Sequence, residues 1–384
     1  MKINQIYSVL NDINHQMYGD TAQQVTDLSG LISMGDTIAN TAGYDKFLNI
    51  LVDRIGKTVI RKLDLSLDFP GLYMDSFQFG AILQKITVDP VDASNNSSWD
   101  VGQVGFTPTL LDVNKPSVSV KYFDGADTAS FLMTIPFNLM DSAFDSEAGV
   151  TSFFDAIITA LKDSVVISIN NMSRTAVNNF IAEKLKNSNG VINLLTGYNA
   201  IVPTPITAAD AMYDPGFLRY ASGEIKKFMK YLSQPSVLYN VDGKIRATQR
   251  DNMHILALTE FAVSSQVNLQ ADTYWKDLLA LPGYTEVAYW QGNHDTLNGD
   301  NTFTTNSTIN VIPSSEEGSL SPTAVAQSGV LMVLADRQAI AVGINKRRSA
   351  TFTNPIDAYT NMKEEFTTQW INDLGENGLV FICA

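Results

Sequence analysis

Residues 151–185 read TSFFDAIITALKDSVVISINNMSRTAVNNFIAEKL, and this stretch decides the fold. Apolar residues recur at Phe154, Ile157, Ile158, Leu161, Val165, Ile169, Met172, Ala176, Phe180 and Leu185, the stripe of a half-buried helix. Neither Pro nor Gly interrupts it, and Gly190 lies shortly beyond its end. At about 1.5 Å per residue it spans roughly 50 Å, longer than a small domain is wide. A helix of that length needs an extended surface to lie against. That favours a spread-out subunit over an enzyme closed around a deep pocket.

Upstream, strand character is expected at Val118–Phe123 and Phe131–Phe137 around a turn at Asp124-Gly125, an excursion too thin to be stable unless it lies on a neighbour. From Pro70 to Pro116 the chain reads as loop, punctuated by Pro70-Gly71, Asp89-Pro90 and the run Asn95-Asn96-Ser97-Ser98. Before that, Val59 to Phe69 alternates as a strand, and Tyr44 to Ile55 carries the spacing of a short amphipathic helix ending at Gly56. Residues 1–40 are polar with scattered apolar anchors and read either as an arm with at most short helices or as a loose terminus.

Downstream, a link marked by Pro203, Pro205 and Pro215 leads into a mixed α/β unit over about 217–342. Its expected elements are a helix around Ile225–Leu232 backed by Lys226, Lys227 and Lys230, and strands at His254–Leu258, Glu286–Trp290, Ile309–Ile312 and Val330–Leu334. Near the C-terminus Met362, Glu364, Phe366, Thr368 and Trp370 share one face. A turn at Gly375–Gly378 then leads to a strand at Leu379–Ile382, an expected hairpin.

The 384 residues carry 26 Lys plus Arg against 40 Asp plus Glu, a net charge of −14. A basic nucleic-acid reader is disfavoured, since duplex DNA bears about one negative charge per 1.7 Å and binding it needs cations. Cys383 is the single cysteine and cannot form an internal disulfide, which points to a reducing compartment. The polar first twenty residues hold no apolar signal core, and no run approaches the 18 or so residues of a membrane span. A soluble, cytosolic product is expected.

Catalytic motifs are incomplete. Gly292-Asn293-His294-Asp295 matches one string of dimetal phosphoesterases, but two metals need several more ligands, and the other His residues are only His15 and His254. A polar loop tip is the better reading, with no metal and no cofactor. Gly56-Lys57-Thr58 lacks the first Gly of a phosphate loop, since Leu51 stands there. No Gly-x-Ser-x-Gly elbow occurs. Lys346-Arg347-Arg348 is a dense basic spot, either a solvated loop or a contact on another copy.

The stretch Leu51-Val52-Asp53-Arg54-Ile55-Gly56-Lys57-Thr58-Val59-Ile60-Arg61 closely resembles a segment of the major capsid proteins of small short-tailed phages of the phi-29-like group. A weaker likeness covers the last fifty residues, through Ala339–Ile344, Asn354-Pro355, the strand around Phe366 and Trp370, and Leu379–Ile382. The resemblance implies an α+β chain with the Hong Kong-type tailed-phage coat fold. It divides the chain into an arm (1–40), a helix–strand pair (41–63), an extended loop (64–137) lying over an adjacent subunit, a peripheral domain (138–216) with its spine helix at 151–188, an axial domain (217–342) and a C-terminal hairpin (343–384).

The same resemblance implies a non-enzymatic structural role, in pentamers and hexamers of an icosahedral shell around double-stranded DNA that is not read by sequence. A separate scaffolding protein and a portal protein are the implied partners, with no membrane. Assembly would take place in the host cytoplasm. Candidate subunit contacts are Asp53, Arg54, Phe69, Tyr122, Phe123, Lys346, Arg347 and Arg348. The rival readings are a metal-dependent phosphoesterase at Gly292–Asp295 and a monomeric binding module.

Overall fold

The computed structural model describes residues 3–19, most of 22–35, 67–74, 83–90, 117–139 apart from 124, 147–271, 283–291, 303–354 apart from 317, and 356–384. The expected helix at Tyr44–Ile55, residues 59–66 of the strand expected at Val59–Phe69, Asp53, Arg54 and the loop Gly292–Asp295 lie outside these residues, and the described end of that stretch, 67–69, is not strand. In chain order the elements are α1 (Ile3–Tyr18), β1 (Leu83–Val88), β2 (Val118–Phe123), β3 (Ala126–Pro136), α2 (Glu147–Lys186) and β4 (Val191–Asn193). There follow α3 (Pro215–Leu232), β5 (Met253–Leu258), α4 (Thr259–Ala271), β6 (Thr285–Val287), β7 (Ile309–Val311) and β8 (Val325–Gln327). The last are β9 (Val330–Asp336), β10 (Ile340–Asn354), β11 (Tyr359–Asn372) and β12 (Gly378–Ile382).

The chain forms two compact units. The first comprises Met1–Phe79, Gly125–Thr175 and Ala341–Trp370; the second comprises Gly80–Asp124, Ala176–Ile340 and Ile371–Ala384. Helix α2 is the long helix read from the sequence, at 40 residues, or roughly 60 Å. In the first unit it buries Phe153, Ile157, Leu161, Val165 and Ile169, a row spaced at four while Ile167 is exposed. From Ala176 to Lys184 it is buried all round, Glu183 and Lys184 included. One helix thus changes from amphipathic to fully enclosed along its length.

The first unit packs the α2 row against a sheet ordered β10-β11-β3. β11 and β3 run antiparallel with Met362 opposite Met133 and Phe366 opposite Ala129. On the inner face Phe131 and Phe366 meet edge to face at 5.9 Å. The outer face of this pair is mostly polar, with Thr128 and Thr367 hydroxyls 3.0 Å apart and Thr134 donating to Asn361 at 2.7 Å, and with Leu132 exposed among them.

Three sequence expectations change here. The N-terminal segment is not limited to short helices: α1 runs 16 residues and buries Leu10, Ile13 and Met17 in the same core as α2. Its polar composition is misleading because Asn11 is tied up in backbone pairing, donating to Val25 O at 2.9 Å and accepting from Val25 N at 2.5 Å. Second, β2 and β3 are not a hairpin about Asp124-Gly125. β2 pairs with β1, inside the stretch read as loop, and β3 pairs with β11, so the two strands belong to different sheets. Third, β11 and β12 are not a hairpin either. β12 is buried at every position, as a central strand must be, and sits between β4 and β9 in the other unit's sheet.

That second sheet is ordered β4-β12-β9-β5-β6, with β12 parallel to β4, antiparallel to β9, and β5 parallel to β6. Its strands β9 and β12 are continuous apolar runs, so length and flanking turns identify them, not alternation. α3 begins at Pro215 with Asp214 capping the Phe217 amide at 2.6 Å, ten residues before the helix expected from spacing. The end of α2 is clamped by the segment at 314–316. Glu183 accepts from the Ser315 amide at 2.7 Å and from the Ser315 hydroxyl at 3.0 Å, and Asn179 exchanges two hydrogen bonds with Ser314.

Candidate functional site

β1 and β2 form an antiparallel ribbon with Gln84 opposite Tyr122, Lys85 opposite Lys121, Ile86 opposite Val120, Thr87 opposite Ser119 and Val88 opposite Val118. Period-two alternation therefore sorts Ile86, Val88, Val118, Val120 and Tyr122 to one face and Lys85, Thr87, Ser119 and Lys121 to the other. The polar face turns inward. The five apolar side chains are 43–64% exposed. This is the reverse of the usual half-buried strand, where the apolar face is covered.

Beneath the polar face lies a charged cluster. Lys85 Nζ reaches Asp373 Oδ2 at 2.7 Å and Glu376 Oε1 at 2.8 Å, and Lys121 Nζ reaches Asp373 Oδ1 at 2.8 Å and also pairs with Asp242. Lys244 faces Asp89 at 3.7 Å, and Arg246 Nε lies 3.3 Å from Glu376 Oε2. Four cations thus meet four anions. Asp373 is positioned by the turn leaving β11: its amide donates to Ala339 O at 2.8 Å, and its Oδ1 accepts from the Gly375 amide at 3.0 Å. Burial pushes the Asp373 carboxyl up, but the hydrogen bonds and charges of Lys121 and Lys85 outweigh it and hold the group below its usual 3.8. Burial pushes Lys121 down, and its hydrogen bonds to Asp242 and Asp373 outweigh that, leaving the ammonium above its usual 10.5.

The candidate contact residues divide sharply. Tyr122 stands on the exposed apolar face of the ribbon, while Phe123 is half-buried. Phe69 is 4% exposed, held within the first unit just before the short helix Pro70–Leu72, so its ring offers no surface to a neighbour. Of the basic trio on β10, Lys346 and Arg348 are exposed, and Arg347 is half-buried and engaged by Glu364. These three lie in a strand, not in a loop.

The residues that organise the ribbon, Lys85, Lys121 and Asp373, were not among the sequence candidates. A signal existed. Leu83-Gln84-Lys85-Ile86-Thr87-Val88 alternates with period two, but its polar set is the inward one, and that hides a strand from a search for buried apolar faces.

Other reactive groups are spent on structure. Cys383 is buried, and burial pushes its thiol up to about 12. Burial, with the Arg337 charge adding to it, lowers His254 to about 4. Among the described residues no group of three or more His, Cys, Asp or Glu is placed to hold a metal ion, and no helix is long and apolar enough to cross a membrane.

The sequence profile of the family described as Phi29-like phage major capsid protein matches residues 8–381. The chain belongs to that family. Among solved structures, the capsid of Staphylococcus phage Andhra matches this capsid subunit with a TM-score of 0.52 and 11% identity, covering 82% of this chain and 83% of that one. The structure of head fiber and inner core protein gp22 of native bacteriophage P68 matches with a TM-score of 0.52 and 12% identity, over 83% of this chain and 85% of the other. No curated protein matches the sequence.

The fold is therefore the Hong Kong-type fold of tailed-phage coat proteins, as the eleven residues at 51–61 implied. The subunit is a structural component of the capsid shell, and its place is the virion. Nothing in these matches supports a phosphoesterase at Gly292–Asp295.

Proposed function

We propose that this capsid subunit assembles as pentamers and hexamers into a closed icosahedral head around double-stranded DNA, with the β1–β2 ribbon of one copy lying over the next. The observation that carries this reading is the outward apolar face of the ribbon. Five β-branched or aromatic side chains left in water favour burial at about 25 cal/mol per Å² of apolar surface covered. A second copy, present in a shell at high local concentration, is the partner such a face meets first.

Each contact can be weak. A pair near a millimolar Kd is worth about 4 kcal/mol, and many simultaneous pairs give a firm shell whose misplaced subunits still dissociate during growth. The net charge of −14 suits a wall that encloses DNA without gripping it. A separate scaffolding protein and a portal protein are the partners this role calls for, with assembly in the host cytoplasm. We assign the subunit no reaction of its own.

The test is co-expression with the scaffolding protein of the same phage, followed by sedimentation and electron microscopy. Closed particles are expected. A chain that stays at the size of one subunit in every condition overturns the reading. Tyr122→Ser with Val120→Thr should lower particle yield while leaving the subunit folded, and normal yield from that variant would remove the ribbon from the interface.

A further inference from the structure

Lys85 and Lys121 are direct cross-strand partners in the ribbon, and two like charges in that position repel. A two-stranded ribbon is already marginal in water, and this one turns its apolar face outward, so it gains little from burial. Its polar inner face has to be held by something else. Asp373 lies between the two ammonium groups, with Oδ2 on Lys85 and Oδ1 on Lys121. One carboxylate thus joins both strands to the turn after β11 and cancels the repulsion between them.

We propose that the Lys85–Asp373–Lys121 bridge is a latch that decides whether the ribbon is formed, and that the apolar outer face is offered to a second copy only while the latch is closed. This rests on the reading that the ribbon lies over a neighbouring subunit. Lys85 and Lys121 are positioning residues: they act on assembly through the face they hold outward. The surrounding charges are secondary. Glu376 engages Lys85, Asp242 engages Lys121, Lys244 faces Asp89 at the ribbon's end, and Arg246 faces Glu376. Asp242 is 29% exposed at its side chain and is weakened by salt, whereas Asp373, at 3%, is shielded from it.

The latch holds across the neutral range. With its carboxyl held below 3.8, Asp373 contributes its stabilisation above the unfolded value and loses it only as pH falls through the folded one. With its ammonium held above 10.5, Lys121 contributes below that value and loses it as pH rises further. Between these limits, opening requires a change of residue or a competing contact.

The test compares the full-length subunit with Asp373→Asn by amide hydrogen exchange at neutral pH. Amides of 84–88 and 118–122 should exchange at least about tenfold faster in the variant, while those of 253–258 and 330–336 stay as protected as before. Lys121→Met combined with Asp373→Asn removes the repulsion with the anchor, and should exchange more slowly than Asp373→Asn alone. If Asp373→Asn fails to fold, Lys121→Gln replaces it, because Asp373 then keeps Lys85. Unchanged exchange in the ribbon overturns the latch. An opened ribbon with normal shell yield on co-expression with scaffolding overturns the link between latch and assembly. The Tyr122→Ser, Val120→Thr variant, latch intact, judges the ribbon's place over a neighbour separately.

Discussion

Arg347 grips Glu364 with two nitrogens, Nε at 3.1 Å from Oε2 and Nη2 at 3.1 Å from Oε1. The guanidinium also lies 5.9 Å from the Phe366 ring centre, and Glu364 is buried on the inner face of β11. A bidentate pair of this kind is satisfied within its own subunit. Glu364→Ala should therefore lower the stability of the first unit by about 1.5–3 kcal/mol, because it breaks a charge-assisted bidentate pair whose carboxylate is buried. Chemical denaturation checks this, and a loss under about 1 kcal/mol would mean that Arg347 finds water or another acceptor.

Lys346 and Arg348 flank Arg347 on the opposite, exposed side of the strand. Lys346→Ser with Arg348→Ser should change stability by no more than about 0.5 kcal/mol, as surface substitutions do. Any effect should fall on assembly, with closed-particle yield decreasing and its salt dependence flattening. Sedimentation at two ionic strengths separates these outcomes, and equal yield at both would remove the pair from the subunit contacts.

Long, regular features were legible in the sequence, and features made by pairing across the chain were not. Helix α2 declared itself because an apolar stripe running from Phe154 to Leu185 with no Pro or Gly needs no partner to be visible. Strand β11 did the same, from Met362 to Thr368, through its alternation. The pairing of β2 with β3 and of β11 with β12 was misread, because adjacency in sequence suggests a hairpin; β2 instead reaches back about thirty residues to β1, and β11 lies between its preceding strand β10 and the distant β3. Asp373 carries no local sign of its role. Its importance arises only when Lys85 and Lys121, 288 and 252 residues distant, are folded onto it.

Two glycines should respond in opposite directions. Gly329 precedes β9 at φ +73, and a Cβ there would stand 2.0 Å from the Cys383 carbonyl oxygen, a backbone atom with nowhere to go. Gly329→Ala should cost more than the roughly 1–3 kcal/mol of the left-handed backbone alone. Gly223 lies inside α3, and a Cβ there meets nothing within 4 Å. Gly223→Ala should stabilise by about 0.5–1 kcal/mol, since Ala loses less backbone freedom in a helix. Thermal unfolding of both variants against the parent is the check.

Cys383 should behave as an inert thiol. Its side chain is buried at the end of β12 and its amide donates to Gly329 O at 2.7 Å, so the thiolate needed for alkylation is suppressed at neutral pH. Iodoacetamide should leave the folded subunit unmodified and label it fully in denaturant, read by mass spectrometry. Rapid labelling without denaturant would show that the C-terminal strand opens.

Lys184 gives the clearest pH dependence. Its Nζ is enclosed at the end of α2, donating to Tyr239 O at 2.9 Å and Asn189 Oδ1 at 3.3 Å, with the Phe180 ring centre 5.7 Å away. Burial lowers it from 10.5 to about 8, against the pull of Asp242. Between those two values the unfolded chain holds a proton that the native chain has released, so stability from this group rises as pH increases from about 8 to 10.5. Below about pH 8 both states are charged, and the desolvation penalty stands in full. Lys184→Met removes the titration. The stability of the parent relative to this variant should therefore be constant below the lower value and climb above it. Denaturant midpoints at neutral pH and at pH about 10 measure that difference, and a difference that stays flat would show that the ammonium keeps its proton throughout.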